Sequence, residues 1–474
     1  MPPGYDTGNT AWMMASTAMV LLMTPGLAFF YGGMVKTKHV LVMLKMSFAC
    51  LSLVTIIWLA VGYSLAFGKD AGAGLIGDLD HAFFRGVGMT TLHGSIPTVI
   101  FACFQMSFAI ITVALISGSI AGRATMRGWL VFVIAWTLIV YVPTAHWVFA
   151  PDGWIAASLG ALDYAGGLPV ELSSGASGLA VAIVLRGRRD FERDPIRPHN
   201  LPLVVIGLAL LWFGWFGFNA GSALQVEGSA PVTFLNTQLA AAGAMIGWPV
   251  IEKWRLGHVE MLGVASAAVA GMVAITPACG EVSPVGALII GFAAGVVCCF
   301  AINMKYKIGV DDTLDVVGVH GWGGIVGVLS IGFFATAAMS GRKGLFYGGG
   351  LDQLWRQALA VLAVGTFSFT MTCIIARIID RTVGFRTSEE YENVPGREEE
   401  VAYDSETLEQ IRDRMGERGE EPGRAPARSR TGVGAGPGPR LGEAADGRSA
   451  DPAAQDAALL AEVLSVLERR ERDK

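Results

Sequence analysis

The chain has 474 residues, 53% of them hydrophobic and only 16% charged, with a formal net charge of -5. A soluble domain carries roughly 25% charged residues, and the deficit here is confined to residues 11–380, which excludes an ordinary soluble protein. Apolar runs longer than the roughly 17 residues a spanning helix needs recur through that region, without the short alternating strands of a lipid-facing barrel. The expectation is an all-α polytopic membrane protein. In chain order the spans fall at roughly 11–33, 41–67, 92–119, 128–148, 161–185, 201–218, 231–250, 259–276, 283–303, 315–338 and 354–379. No basic segment precedes the first run, so it is expected to span rather than to be cleaved. Pro169, Pro202 and Pro277 predict bends or broken turns in the fifth, sixth and eighth spans. The 61 glycines suit close helix contact in lipid.

Loop charge predicts orientation. Lys36 and Lys38, Arg123 and Arg127, Arg186 to Arg197, Lys253 and Arg255, and Lys305 and Lys307 follow the odd-numbered spans. The other connections offer only Lys69, Arg85, Arg342 and Lys343. The positive-inside bias therefore puts the N-terminus outside and, with an odd span count, the C-terminal tail in the cytoplasm. These basic residues act as topology determinants, so nothing points to nucleic acid. The six cysteines sit in or beside apolar runs and predict no disulfide framework. Past residue 386 the composition changes. Residues 387–415 are acidic, 416–452 are rich in Gly, Pro, Arg and Ala and should be disordered, and 454–470 repeat apolar positions at helical spacing.

Two stretches carry the chemistry. DVVGVHGWGGIVG (Asp315–Gly327) places His320 inside an apolar span, and an ionisable ring there is a functional-site hypothesis by default. VELSSGASG (Val170–Gly178) echoes it: aligning Glu171 with His320 puts Gly175 over Gly324 and Gly178 over Gly327. One ionisable residue in each half, followed by small residues at the same offsets, is the pattern of a transporter built from two internal repeats. No His/Cys/Asp cluster has metal-ligand spacing, and no Ser–His–Asp set or phosphate loop is present, so neither a cofactor nor an enzyme is expected.

The ordered motifs resemble the ammonium transporter family (Amt, Mep and Rh proteins). They are NTAWMMASTAMVLLMTPGLAFFYGG, FQMSFAIITVALISG, ALDYAGG, WFGFNAGSA, TPACG and DVVGVHGWGGIVG. The resemblance covers about residues 8–386. It implies a membrane domain over 1–386 with eleven helices: two inverted five-helix repeats, about 11–185 and 201–338, and a last helix over 354–379. It further implies a homotrimer in the cell membrane, with one pore per subunit and ammonium or ammonia as substrate.

By the same resemblance, Phe108, Phe149 and Ser222 form the outer recruitment site, Phe104 and Phe218 the stacked pair closing the pore, and Glu171 and His320 the pore pair. Asp163 organises the fifth helix, Trp215 and Thr276 line the route, and Asp315 supports it. Three positions depart from the family pattern. Glu171 replaces the first pore histidine, as in some fungal members. Phe149 stands where tryptophan is usual, with Trp147 two positions away as the alternative ring. REEEVAYD (Arg397–Asp404) matches the family's cytoplasmic motif only in part. A PII-type regulator would dock on the acidic tail and the Arg-rich fifth loop.

The physical demand is plain. An unpaired ion taken out of water costs tens of kcal/mol in the ideal limit, and an aromatic mouth returns about 0.5–2 kcal/mol per ring by cation–π attraction. Recruitment should therefore be followed by deprotonation, with a Glu171–His320 pair relaying the proton. The rival expectation is a sensor that binds ammonium and signals through the long tail with little net transport.

Overall fold

The computed structural model describes residues 2–188, 191 and 198–387. The helix expected over 454–470, the acidic tail and part of the Arg-rich loop lie outside the described residues. All that is described belongs to one compact unit, Met1–Ala402.

The fold is a bundle of membrane-length helices. Among the described residues ten segments are long and apolar enough to cross a bilayer, and the shorter apolar helix Met261–Ile275 is the eighth of eleven in chain order. The first span is Thr7–Met34, the sixth Leu201–Gly221, the seventh Ala230–Leu256 and the last Asp352–Thr382. Small residues let these helices approach closely. The first and sixth pack backbone to backbone: a Cβ on Gly207 would sit 2.3 Å from the Phe30 nitrogen. The seventh and ninth spans (the ninth Pro284–Ile308) do the same, where a Cβ on Gly291 would meet the Ala240 carbonyl at 2.1 Å. All six cysteines are free.

Several boundaries differ from the sequence expectation. The third span begins at Thr98, not 92, because Leu92–His93 and Ile96–Pro97 form a small antiparallel hairpin. The fifth begins at Gly167: residues 161–166 are non-helical, with Gly166 at φ 108°. Pro202 makes no bend, since it occupies the first turn of its helix, where its missing N–H costs nothing. Pro169 lies in a π-helical turn, Gly167–Leu172, and Pro277 follows the end of the eighth helix and packs against Gly167. The seventh span runs on to Leu256, held by a left-handed Gly257 cap.

Candidate functional site

Each half of the chain breaks its helix in the same way. Asp163 lies eight residues before Glu171, and Asp312 eight before His320. Asp163 Oδ1 accepts from the Gly166 and Gly167 N–H groups at 2.8 Å, and Oδ2 from Leu168 N–H at 2.6 Å. Asp312 Oδ1 accepts from Val316 N–H at 3.2 Å and Oδ2 from Val317 N–H at 2.8 Å. Each carboxylate thus meets the unpaired donors of a helix start inside the bundle. A π-helical turn follows in both halves, Gly167–Leu172 and Val317–Gly321, and carries the ionisable residue. Such turns shift a side chain off the regular helical register, which is why they collect at functional sites.

The glycines after these residues interlock. A Cβ on Gly175 would lie 2.3 Å from Gly321 Cα, beside His320; one on Gly324 would lie 3.2 Å from Glu171 Cβ. Each half's glycine, four residues past its own ionisable group, therefore lets in the other half's. Gly175→Val is expected to lower thermal stability in detergent by at least about 1–3 kcal/mol, the ordinary cost of overpacking. An unchanged melting temperature would contradict the close crossing.

Glu171 and His320 meet. His320 Nδ1 lies 2.7 Å from Glu171 Oε2, with the two side chains 6% and 1% exposed. A ring nitrogen and a carboxylate oxygen at that distance share one proton.

Two cavities meet at this pair, and another opens at one mouth. The one at the mouth beside the 68–97 loop is lined by Phe108, Phe149, Ser222, Gln105, Tyr164 and His93. The middle one is walled by Phe218, Trp215, Ile111 and Val170, with Glu171 and His320 at its polar end. The third, toward the other mouth, shares His320 and Tyr31 and adds Ser266 and Asp315. Between the first two stand Phe108 and Phe218, with ring centroids 3.9 Å apart and planes 17° from parallel. The Ser222 hydroxyl donates to the Phe218 carbonyl at 2.8 Å, leaving its lone pairs free to accept. Trp215 Nε1 donates to Thr276 Oγ1 at 2.9 Å, which fixes the indole against the middle cavity with Thr276 behind it.

Two expected placements are corrected. The ring stacked on Phe218 is Phe108, not Phe104; Phe104 meets Phe108 edge-on at 4.9 Å. Positions 104 and 108 are one helical turn apart, so sequence spacing fits either. Trp147 does not line the mouth: its Nε1 donates to the Leu75 carbonyl at 2.8 Å and its ring packs on Phe367 at 4.6 Å. Phe149 occupies the wall. Asp315 lies three residues past Asp312. It forms an ion pair with Lys305 at 2.6 Å on the wall of the third cavity. The capping carboxylate is Asp312, which sequence reasoning missed although its spacing from His320 repeats that of Asp163 from Glu171.

A second buried polar cluster closes the end opposite the 68–97 loop. Arg123 and Asp311, both fully buried, pair at 3.0 Å, and Arg188 Nε reaches Asp311 at 2.7 Å. Arg123 also donates to Thr313 Oγ1 at 2.6 Å, and Ser119 Oγ donates to Asp312 at 2.8 Å. This ionic layer ties the third span to the cap of the tenth. Burial alone would raise the Asp311 carboxyl, but Arg188 and Arg123 together hold it below its ordinary value.

Comparison with known proteins agrees with this architecture. Residues 11–403 match the model of the Ammonium Transporter Family. An ammonium transporter of Mycobacterium tuberculosis is 49% identical over 418 residues, covering 82% of this chain and 88% of its own. The crystal structure of Saccharomyces cerevisiae Mep2 superposes with a TM-score of 0.76 at 34% identity, covering 82% of this chain and 89% of that one. A solved structure named Sensor Amt Protein gives 0.75 at 30% identity, with 81% and 96% covered.

Proposed function

The chain belongs to the ammonium transporter family, a family of multi-pass membrane transporters rather than enzymes, and on that premise we propose how it handles its substrate. Ammonium enters the mouth beside the 68–97 loop, which the loop charges make the outer face, with the N-terminus outside and residues past 382 in the cytoplasm. It rests against Phe108 and Phe149 and donates one N–H to Ser222. It passes the stacked Phe108 and Phe218 rings, gives up its proton to the Glu171–His320 pair, and continues through an apolar cavity. The reciprocal glycine contacts and the paired Asp163 and Asp312 caps support two inverted repeats, and close family membership supports a homotrimer.

The observation that carries the reading is the 2.7 Å Glu171–His320 contact buried beneath the ring stack. An unpaired cation in that apolar space would pay the full desolvation penalty, whereas ammonia would not. The pair can hold a proton at either end, which permits relay. It can also carry net negative charge, so discrimination against other monovalent cations should be looser than for two histidines. Glu171→His is expected to shift the pH profile and tighten exclusion of potassium; an unchanged profile and selectivity would remove Glu171 from the relay.

The test of the whole reading is an ammonium pulse on purified protein in a supported membrane, followed by pH-coupled uptake into liposomes. Ammonium current, or uptake that moves the lumenal pH, is the expected result. Neither signal from folded protein would favour the sensor reading, which draws on the likeness to the Sensor Amt Protein and on the long tail. A PII-type regulator docking at the tail-side face belongs to the same tests.

Phe149 weakens the mouth relative to tryptophan. Phe149→Trp is expected to lower the apparent KM for methylammonium about two- to five-fold, the yield of about 0.5–1 kcal/mol of added cation–π attraction. Unchanged affinity would take residue 149 off the recruitment site.

A further inference from the structure

His146 is fully buried in the helix Val142–Phe149, three residues before the vestibule ring and away from the cavities described above. Its Nδ1 lies 3.0 Å from the Ala66 carbonyl oxygen. A carbonyl can only accept, so Nδ1 carries a proton. Its Nε2 has no hydrogen-bond partner but lies 3.5 Å from Asp70 Oδ1 and 4.0 Å from Asp152 Oδ1. With one proton on the ring, that buried nitrogen would turn a lone pair toward two carboxylates, whose side chains are 24% and 45% exposed. A second proton converts the repulsion into a bridging ion pair.

Other occupants fit less well. An ammonium ion with N–H···acceptor arms of about 2.9 Å would hold its acceptors roughly 4.7 Å apart, wider than either separation here. Among the described residues no group of three or more His, Cys, Asp or Glu side chains could hold a metal. Asp70 is itself kept in its charged form: Gly74 N–H, opposed by burial and aided by Gly72 N–H and His146, holds its carboxyl below the ordinary value.

The two acids sit on the pieces that build the mouth. Asp70 N–H donates to Asp152 Oδ2 at 2.9 Å, Trp154 N–H to the Gly74 carbonyl at 3.1 Å, and Trp147 Nε1 to the Leu75 carbonyl. Between Trp147 and Trp154 the chain passes Phe149 and Pro151, both on the vestibule wall. We propose that His146 is a positioning residue: as an imidazolium bridging Asp70 and Asp152 it latches the 68–78 loop to the 147–154 segment, and loss of its proton loosens that wall. Among the described residues, Asp70 and Asp152 are the ion-pairing groups that face the ring. The second span contributes the Ala66 carbonyl, and the ring's own helix carries no other charge.

The vestibule's part in recruitment rests on the function proposed above, but the latch is read out without transport. Hydrogen exchange on the full-length protein, expressed as protection factors, should show the Gly72, Gly74 and Trp154 amides losing at least about ten-fold protection between pH 5.5 and 8, across the range where histidines titrate. In His146→Gln the pH step disappears; in Asp152→Asn, which leaves the ring in place, it shrinks. The apparent KM for methylammonium should follow the step in the wild type and lose it in His146→Gln, while the His320-dependent proton coupling persists. PH-independent protection in the wild type, a step that survives in His146→Gln, or a latch opened at pH 5.5 by a chelator would each overturn the proposal. Should transport be absent altogether, the exchange step still decides it.

Discussion

Alanine at position 320 is expected to abolish the ammonium-driven current while leaving the protein folded. The ring is one end of the 2.7 Å contact with Glu171, and it borders both the middle and third cavities. Without it, a proton released by ammonium has only Glu171 to go to, and a lone buried carboxylate that accepts it has no partner to pass it on to. Loss of about a hundred-fold in current is the low end of what a positioned proton acceptor contributes. Glu171→Gln gives the sharper comparison, because the amide keeps the shape and a hydrogen bond to Nδ1 but cannot take up a proton. Both variants should lose proton coupling, and Glu171→Gln, which leaves no charge unpaired, should keep its stability within about 1 kcal/mol. A wild-type current in His320→Ala would end the relay reading. A collapse of folding in both variants would make the pair structural instead.

The second large effect is on stability, at the opposite end of the pore. Asp311→Asn conserves volume but removes the carboxylate that pairs with the fully buried Arg123 guanidinium at 3.0 Å and with Arg188 at 2.7 Å. Breaking a buried pair on one side typically costs about 3–5 kcal/mol, because the remaining charge stays desolvated. Arg123→Met combined with Asp311→Asn should recover part of that loss, since neither charge is then stranded. The pH dependence follows in sign. The folded-state value of Asp311 is depressed by Arg188 and Arg123 against the burial that would raise it. Its contribution is therefore complete above the ordinary carboxylate value near about 3.9 and is lost as pH falls through the lower folded value. Wild type and Asp311→Asn should differ most near neutrality and converge in strong acid. Thermal unfolding in detergent across that range measures it, and a constant difference would mean the carboxylate charge is not what holds the layer.

Much of this protein is set locally. Hydrophobic runs of membrane length arise from composition alone, because lipid leaves a chain few options besides the helix. Eleven spans were therefore countable from the residues, and an ionisable side chain in such a run is costly enough to mark Glu171 and His320 without coordinates. The offsets of Gly175 and Gly324 were also visible, although not that each glycine would admit the other half's ionisable group. What the tertiary structure alone decided depends on which way side chains turn. Phe104 and Phe108 share a helix face, and only the approach of the sixth span makes Phe108 the ring that stacks on Phe218. Trp147 and Phe149 lie two positions apart, and a hydrogen bond to the Leu75 carbonyl draws the tryptophan away from the mouth. Asp312 and Asp315 stand three apart at one helix entry, and backbone geometry gives the cap to the first and the Lys305 ion pair to the second. Spacing along a chain fixes which residues share a face. It does not fix what that face meets, because the meeting depends on helices distant in sequence.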